Sequence, residues 1–417
     1  MKLPVSFNCF AFLCLLLIIA DATDSEYFPT SISSIRSGIP TSTAKSITAS
    51  GLSTEIAQAV NDAIRSKQIP GAVVLISHHG NILLHEAYGQ RMLEPHQEPM
   101  TVDTIFDMAS ITKPMATATC VMKLVEMGKI QLHDKAAQYL QHFGQHGKEV
   151  ITIEQLLLHT SGLIADNQQV DYEHGIATAY EKIDGLKLVS PPGTRFIYSD
   201  VGYIVLGRIV EQLTGKHLDE TVKEWITQPL GMKDTHFRRR DQVDDRLARI
   251  APTEKENGVL FHGYVHDPRA QALNGIAGHA GLFSTSSDTL LYAEMLLKGG
   301  KGVLKPDTIQ NMITPRYVPG GGLRNLGWDV DTAYSSPRGE HFPVGLSYGH
   351  TGFTGTSLWI DPTSDTILIL LTNRVHPNGK GNATPLRRKV ANIAAKYLTK
   401  KPAPSPALAG IDVLRQQ

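Results

Sequence analysis

The sequence has few of the features that mark specialised proteins. Three of its 417 residues are cysteine, and Cys9 and Cys14 lie within the first 22 residues, so a chain without that segment keeps one thiol and no internal disulfide. Lys plus Arg number 40, as do Asp plus Glu, and this zero net charge argues against nucleic acid as a partner. An H-E-x-x-H motif, a Walker loop and a Rossmann fingerprint are also absent, so we expect neither a bound nucleotide nor another cofactor.

No apolar run near the N-terminus is long enough to be a typical membrane anchor. The stretch from Phe10 to Ala20 has 11 apolar residues, fewer than the roughly 20 needed to span a bilayer. Lys2 precedes it, and the small residues of Ala20–Ala22 follow it, as in a secretory signal peptide. We therefore predict a signal peptide over residues 1–22 and an exported protein, either periplasmic, secreted or loosely associated with a membrane, without a stable transmembrane segment after cleavage.

Composition and periodicity divide the remaining chain. Residues 23–50 are rich in Ser and Thr and are predicted to be a flexible leader, and residues 401–417 a flexible tail. The folded domain is predicted over residues 51–400. Its sheet is expected to come from about 51–100 and 275–400, with a mostly helical region at about 110–250.

Two predicted hairpins indicate the fold class. Gly71–Ser77 and Ile82–Tyr88 flank one tight turn, and Ser357–Asp361 and Thr366–Asn373 flank another. Helical patterns precede the first hairpin and follow the second. The sequence therefore predicts an α/β protein in which an antiparallel sheet, built from both ends of the chain, is flanked by helices.

Serine motifs are the candidates for catalysis. The G-x-S-x-G match at 345–349 lacks the strand-to-helix context of a nucleophile elbow, and we interpret it as accidental. S-x-x-K occurs twice, starting at Ser42 and at Ser110. Ser110 begins a predicted apolar helix, so its hydroxyl and the Lys113 amine share one face, as a nucleophile and its base require. Taken alone, Ser110 is better explained as a helix N-cap.

Two further segments decide between these readings. Ser110–Lys113, Tyr198–Asp200 and His350–Gly352 resemble, in that order, the S-x-x-K, Y-x-N and K/H-T-G elements of the serine β-lactamase and penicillin-binding protein superfamily, in its class C branch. The segments 197–201, 278–284 and 349–356 most resemble the penicillin-binding protein 4B type of D-alanyl-D-alanine carboxypeptidase. The resemblance implies the β-lactamase/transpeptidase-like fold and covers residues 52–398.

The resemblance also implies roles. Ser110 is the expected nucleophile, and either Tyr198 or Lys113 the base that takes its proton. The backbone N–H groups of Ser110 and Phe353 are the expected oxyanion hole. Substrate-binding residues are expected at the second and third motifs, namely Asp200, His350, Thr351, Gly352 and Phe353.

Two positions depart from the family pattern. Asp200 stands where the family has Asn, and an ionised carboxylate only accepts hydrogen bonds. Asp200 is therefore expected either to pair with Lys113 or to favour a different ligand group. His350 replaces the more common lysine, so we hypothesise that binding of a substrate carboxylate weakens as pH rises through the titration of His350.

A metal site is not expected. His262 and His266 have helical spacing, but Gly263 weakens a helix there and no third ligand follows a known pattern. His159, His279 and Cys120 are interpreted as structural. The sequence thus favours an exported serine carboxypeptidase that acts on peptidoglycan peptides through a Ser110 acyl-enzyme. A class C type β-lactamase, a small-ester esterase and a non-catalytic sensor of muropeptides or penicillin stay open as alternatives.

Overall fold

A computed structural model describes residues 42–239 and 241–398, and its strands join both ends of this region. In chain order, the strands are β1 (Gly71–His78), β2 (Asn81–Met92), β3 (Glu98–Pro99), β4 (Phe106–Asp107), β5 (His236–Phe237), β6 (Lys255–Glu256), β7 (Val259–Leu260), β8 (Leu282–Ser284), β9 (Arg316–Val318), β10 (Gly322–Arg324), β11 (Asp329–Asp331), β12 (Tyr348–Thr351), β13 (Ser357–Asp361) and β14 (Thr366–Leu371). Nine of them form one antiparallel sheet in the order β3-β2-β1-β14-β13-β12-β11-β10-β9.

Helices cover this sheet and fill the segment between its two halves. The α-helices of the described residues are α1 (Ser42–Arg65), α2 (Thr119–Glu126), α3 (Ile153–Leu157), α4 (Ile176–Asp184), α5 (Asp200–Thr214), α6 (Leu218–Val222), α7 (Gln228–Leu230), α8 (Pro268–Ala272), α9 (Ser286–Leu297), α10 (Pro306–Ile313) and α11 (Thr384–Leu398). The predicted fold class is confirmed, because strands from both ends of the chain share one sheet and most helices lie between them in sequence.

Both predicted hairpins are present, and they meet at the centre of the sheet. β1 pairs with β2 on one side and with β14 on the other, with Val74 opposite Leu370. Alternation along β1 then separates two cores. Val73 and Leu75 face the large core of the helical region, whereas Val74 and Ile76 pack in a second core with α1 and α11. The terminal helices therefore cover the sheet face opposite the helical region.

Two local predictions differ from the structure. Helix α1 begins at Ser42, so part of the predicted leader is helical, consistent with the absence of Gly and Pro between Ser42 and Ser50. The predicted helix from Ser110 is instead a 3₁₀ turn over Ala109–Ile111, a π-helical segment over Lys113–Ala118 and then α2. Pro114 lacks a backbone N–H, so a regular helix has a missing bond at this point.

Other predictions fall outside or agree with the described region. The signal peptide (1–22) and the tail (401–417) lie outside the described residues. The G-x-S-x-G match runs directly into strand β12 and not into a helix, as expected for an accidental match. Cys120 is buried in the large core. Among the described residues, no helix combines the length and the apolar character needed to cross a membrane.

Candidate active site

Ser110 lies in a strained turn between a strand and a helix. The turn follows β4 and includes Ala109, whose φ of 47° lies in the left-handed region that a non-glycine residue seldom adopts. The Ala109 backbone N–H donates to Asp107 Oδ1 at 2.8 Å, which fixes this conformation. The sequence indicated a plain helix start, and it gave no signal for the strained turn that presents the hydroxyl.

Lys113 is fully buried behind Ser110 and has three acceptors around its ammonium group. Its Nζ donates to Ser110 Oγ and to the His279 carbonyl oxygen, each at 3.0 Å, and lies 2.7 Å from Asp200 Oδ1. The ammonium therefore has two hydrogen-bond acceptors and an ion-pair partner close to it. Burial opposes the charged form, but the charges and hydrogen bonds of Asp200 and Tyr198 together outweigh it and raise the pKa of Lys113. Lys113 is therefore held as a cation.

Asp200 was expected either to pair with Lys113 or to favour a different ligand group, and the structure shows the pairing. Its carboxylate is at the first residue of α5, where Ser199 caps the helix by accepting from Gly202 N at 3.1 Å. It pairs with Lys113, and it is not among the residues that line the cavity in front of Ser110. The pairing with Lys113 is thus confirmed, and direct contact between Asp200 and a ligand stays a prediction.

Tyr198 is partly exposed and faces both Ser110 and Lys113. Its ring stacks on His159, with centroids 4.4 Å apart, and Lys113 Nζ lies 5.0 Å from the ring centroid. Burial raises the pKa of the Tyr198 phenol, and the nearby Lys113 charge only partly reverses that effect. The phenol therefore keeps its proton near neutral pH and becomes a base as pH rises.

His159 is structural, as predicted. It is buried, and its Nδ1 accepts from the Ser199 backbone N–H at 2.9 Å. Through this bond and the ring stacking, it fixes the segment that carries Tyr198. Burial and the charge of Arg324 hold the pKa of His159 well below its usual value, so the ring is neutral.

The third motif is clamped against the segment that carries Ser110. Thr354 Oγ1 donates to the Asp107 carbonyl oxygen at 2.7 Å, and Thr356 Oγ1 donates to the Met108 carbonyl oxygen at 3.1 Å. Gly352 sits in this contact, and an added Cβ would lie 2.5 Å from the Met108 carbonyl oxygen. Only glycine fits there without a shift of the backbone.

The backbone of Phe353 is suited to the oxyanion role that the resemblance implies. Its N–H donates to no other group among the described residues, and both Ser110 and Phe353 line the same cavity. The Phe353 ring is 61% exposed and stacks on His266, with centroids 5.6 Å apart. The peptide N–H is thus free for a developing oxyanion.

His350 differs from the expectation. It is buried, and its Nδ1 lies 2.8 Å from the Thr351 carbonyl oxygen, so Nδ1 carries the hydrogen. Burial and the charges of Arg324 and Lys113 hold the pKa of His350 well below its usual value. A neutral ring that donates through Nδ1 can only accept through Nε2. The hypothesis that its titration controls carboxylate binding near neutral pH is therefore not supported.

A cavity of about 420 Å³ lies in front of these groups. It brings together six of the eight predicted site residues, while Lys113 and Asp200 lie behind its wall. Its lining comprises Ser110, Tyr198, Asp329, Tyr334, His350, Thr351, Gly352, Phe353, Arg374, Gly381, Asn382, Thr384 and Arg387.

Sequence reasoning missed two arginines of this lining. Arg374 donates to the carbonyl oxygens of Phe353 and Gly381, both at 2.8 Å. Arg387 is buried and donates to the carbonyl oxygens of Gly352 and Thr356 at 2.8 and 2.9 Å, while its Nε has no partner.

These two arginines also have no carboxylate within ion-pair distance. Neither forms an ion pair with a carboxylate of the described residues. Burial and the charge of Arg374 lower the pKa of Arg387 to about 9. Arg387 is buried and Arg374 is partly buried. The two like charges repel each other, and a bound anion would relieve this repulsion.

One group behind Lys113 has the composition of a cation site. Ligand atoms of Asp200, Asp267 and His279 lie within 4.8 Å of one another. Lys113 already supplies a cation to Asp200, and His279 Nε2 bonds Asp267 Oδ1 at 2.9 Å. We therefore interpret the group as support for the Lys113 ammonium.

The pair with helical spacing does not share a helix. His262 Nε2 bonds the Ile250 carbonyl oxygen at 2.9 Å, and His266 Nε2 bonds Glu254 Oε2 at 3.0 Å. Neither residue lies in a helix. Both imidazoles thus have structural partners.

Comparison with known proteins agrees with this geometry. The sequence pattern of the protein family described as "Beta-lactamase" matches residues 56–393 of this chain. A protein of Salmonella enteritidis named "Putative D-alanyl-D-alanine carboxypeptidase" is 33% identical over 344 residues, which are 74% of this chain and 79% of that protein.

Solved structures show the same fold at lower identity. EstCE1, described as a hydrolase with promiscuous acyltransferase activity, has a TM-score of 0.69 and 23% identity over 84% of this chain and 100% of its own. A class C beta-lactamase has a TM-score of 0.68 and 18% identity over 85% of this chain and 98% of its own. Because proteins of different activity share this architecture, the fold alone does not select a substrate.

Proposed function

This chain belongs to the β-lactamase family of serine hydrolases, and we propose that it is a D-alanyl-D-alanine carboxypeptidase acting through an acyl-enzyme on Ser110. The observation that carries the proposal is the pair Arg374 and Arg387 in the cavity of Ser110. A carboxypeptidase must bind the terminal carboxylate of its substrate, whereas a simple ester has no such group. The carboxypeptidase name of the Salmonella enteritidis relative supports the same choice.

The proposed first step transfers the acyl group to the enzyme. Ser110 Oγ attacks the carbonyl carbon of the penultimate residue, and its proton passes to Tyr198 in the phenolate form. Lys113 has no lone pair for this proton while Asp200 holds it as an ammonium, so its charge stabilises the phenolate instead. The N–H groups of Ser110 and Phe353 stabilise the oxyanion. Collapse of the tetrahedral intermediate breaks the peptide bond, and Tyr198 returns the proton to the leaving amine.

The proposed second step is hydrolysis. Tyr198, again as phenolate, takes a proton from a water that attacks the acyl-enzyme carbonyl carbon. Ser110 leaves as an alkoxide and recovers that proton from the phenol. The shortened peptide is released, and the site returns to its starting protonation state. Arg374 and Arg387 hold only the leaving D-alanine, so they act before this step.

The test is release of the C-terminal residue from a peptide ending in D-Ala-D-Ala, compared with the same peptide as its C-terminal amide. We expect wild-type protein to cleave the free carboxylate and to prefer it over the amide, and Ser110→Ala to cleave neither. Turnover of penicillin or of a neutral ester without peptide cleavage would indicate a β-lactamase or an esterase. Binding of the peptide without any turnover would indicate a sensor.

We further propose that the protein is exported and that residues 1–22 are removed. The sequence of the first 22 residues supports this, because a basic residue, an apolar stretch and small residues follow in the order of a signal peptide. Intact mass of the protein recovered from outside the cytoplasm tests it. A mass that retains residues 1–22 would contradict cleavage.

A further inference from the structure

A second and larger cavity adjoins the catalytic one. It has a volume of about 930 Å³ and lies between the turn around Ser336–Arg338 and helix α11. Thr384 lines both cavities. Tyr334 lines the catalytic cavity, and its neighbours in sequence, Ala333 and Ser335, line the larger one. We call the larger cavity the α11 groove.

The lining of the α11 groove is basic. It contains four permanent cations and one histidine but no Asp or Glu; these basic residues are Arg338, His341, Arg388, Lys389 and Lys396. A concave surface with charge of one sign concentrates ligands of the opposite sign. The groove therefore suits an anion.

Three of these cations have acidic partners, but none of the partners lines the groove. The pairs are Arg338–Asp331 at 3.0 Å, Lys389–Asp62 at 3.4 Å and Lys396–Glu55 at 2.6 Å. The two lysine pairs are exposed, and such pairs contribute little to stability, so a ligand carboxylate can replace one partner at small cost.

Arg388 has no such partner. It is exposed on α11 and forms no ion pair with a carboxylate of the described residues. It is thus the residue whose charge is most available to a ligand.

The junction between the cavities also favours an anion. Thr384 is the first residue of α11, which has 15 residues, so the positive end of this helix dipole lies where the two cavities meet. Asn382 Oδ1 accepts from the Thr384 backbone N–H at 3.0 Å and lines the catalytic cavity. The two linings together contain one acidic residue, Asp329.

Asp329 does not cancel this charge. Its Oδ1 accepts from Arg324 at 3.0 Å, and Ser335 Oγ donates to its Oδ2 at 2.5 Å. The carboxylate is buried and neutralised by Arg324. The electrostatic preference of the combined cavity is therefore set by the arginines and lysines.

We propose that the α11 groove is a substrate subsite, which binds a side-chain carboxylate of the peptide whose scissile bond lies at Ser110. This inference rests on the proposed carboxypeptidase function and goes beyond it. It assigns specificity for acidic peptides to residues that take no part in the chemistry. Arg388 is expected to make the largest contribution.

The test uses two peptides that end in D-Ala-D-Ala and differ at one upstream position, with a side-chain carboxylate in one and the corresponding carboxamide in the other. At low salt, wild-type protein should show about fivefold higher kcat/KM for the carboxylate peptide, the size expected for one exposed charge pair. The preference should weaken in Arg388→Ala and be lost in Arg388→Glu. Lys129→Glu, an equal charge change at an exposed residue outside both linings, should keep it.

Two readouts separate this inference from the proposed function. Turnover of a neutral ester should be the same in wild type and in the Arg388 variants, which shows that the Ser110 site is intact. An unchanged ratio for the two peptides in Arg388→Glu would overturn the subsite even if both peptides are cleaved.

If neither peptide is cleaved, the proposed function fails, and binding decides the subsite. Fluorescence anisotropy would then compare the two labelled peptides on Ser110→Ala and on Ser110→Ala/Arg388→Glu. Tighter binding of the carboxylate peptide that Arg388→Glu abolishes supports the subsite. Equal binding of both peptides overturns it.

Discussion

The two sides of the catalytic cavity differ in whether their cations form ion pairs with the protein. On the nucleophile side, formed by Ser110, Lys113, Tyr198 and Asp200, the buried cation is fully paired with protein acceptors. On the arginine side, formed by Arg374 and Arg387, the cations donate to backbone carbonyl oxygens and form no ion pair with a carboxylate of the described residues, and Arg374 also lies over the Phe353 ring. The Lys113 charge, which protein groups hold in place, can stabilise the Tyr198 phenolate. The arginine charges are available to bind a substrate carboxylate. The difference separates the groups for chemistry from those for recognition.

Removing the cation of the nucleophile side should have the largest effect on activity. Lys113→Met removes the charge that favours the Tyr198 phenolate and leaves the Asp200 carboxylate without its cation. We expect kcat/KM for a neutral ester to fall by about 10³-fold. Stopped-flow or steady-state kinetics with a chromogenic ester measures this.

The stability of the same variant is the control. Lys113→Met should be less stable than wild type, because an unpaired carboxylate stays close to the core, and Lys113→Met/Asp200→Asn should recover part of the loss. Thermal denaturation compares the three proteins. A double variant no more stable than Lys113→Met would show that Asp200 does not depend on this pairing.

Removing a cation from the arginine side should mainly lower activity on substrates that carry a carboxylate. Arg387→Met should lower kcat/KM for a D-Ala-D-Ala peptide by about 10- to 100-fold, the range for a lost hydrogen bond to a charged group. Turnover of a neutral ester should fall much less, because Arg387 does not touch the reacting atoms and acts on such a substrate only through the Gly352 and Thr356 carbonyl oxygens. The exposed Arg195→Met is a matched control. Equal losses on both substrates would contradict a recognition role.

Asp200→Asn tests the nucleophile side through the pH dependence of kcat/KM. The Asp200 charge raises the pKa of Tyr198, so its removal should move the alkaline rise of kcat/KM to lower pH. The neutral ester keeps substrate titration out of the profile. The activity at neutral pH should change by about tenfold or less. The exposed Asp307→Asn should leave the profile unchanged, and a rise that moves to higher pH in Asp200→Asn would contradict the assigned roles.

His350 should have the smallest effect. Because burial and the charges of Arg324 and Lys113 depress its pKa, the ring is already neutral and gains no proton until the pH is well below its usual pKa. KM for a D-Ala-D-Ala peptide should therefore vary by less than about twofold between about pH 6 and about pH 8. An increase in KM across this window that His350→Gln removes would restore the carboxylate-binding hypothesis.

The sequence was most informative where the pattern is local. Alternation in β1 and the tight turn after it predicted the first hairpin, and the order of the three motifs predicted which residues meet at the cavity. The strained turn at Ala109 was not predicted, because Asp107 and the loop after Gly352 hold it through tertiary contacts.

The arginine side could not be found by spacing. Arg387 lies 35 residues from Gly352, whose carbonyl oxygen it contacts. A helical arginine is most often solvated, and nothing in α11 marks this one as buried. The depressed pKa of His350 likewise depends on burial and on Arg324, a residue outside every motif. The motifs therefore do not show which side chains tertiary packing buries or how it changes their protonation.

Time-resolved intact-mass spectrometry with a penicillin tests the central claim most directly, because Ser110 is the proposed point of covalent attachment. The mature protein should gain the mass of one penicillin and lose it slowly, and Ser110→Ala should gain nothing. An adduct that persists in Ser110→Ala would place the nucleophile elsewhere and contradict the account.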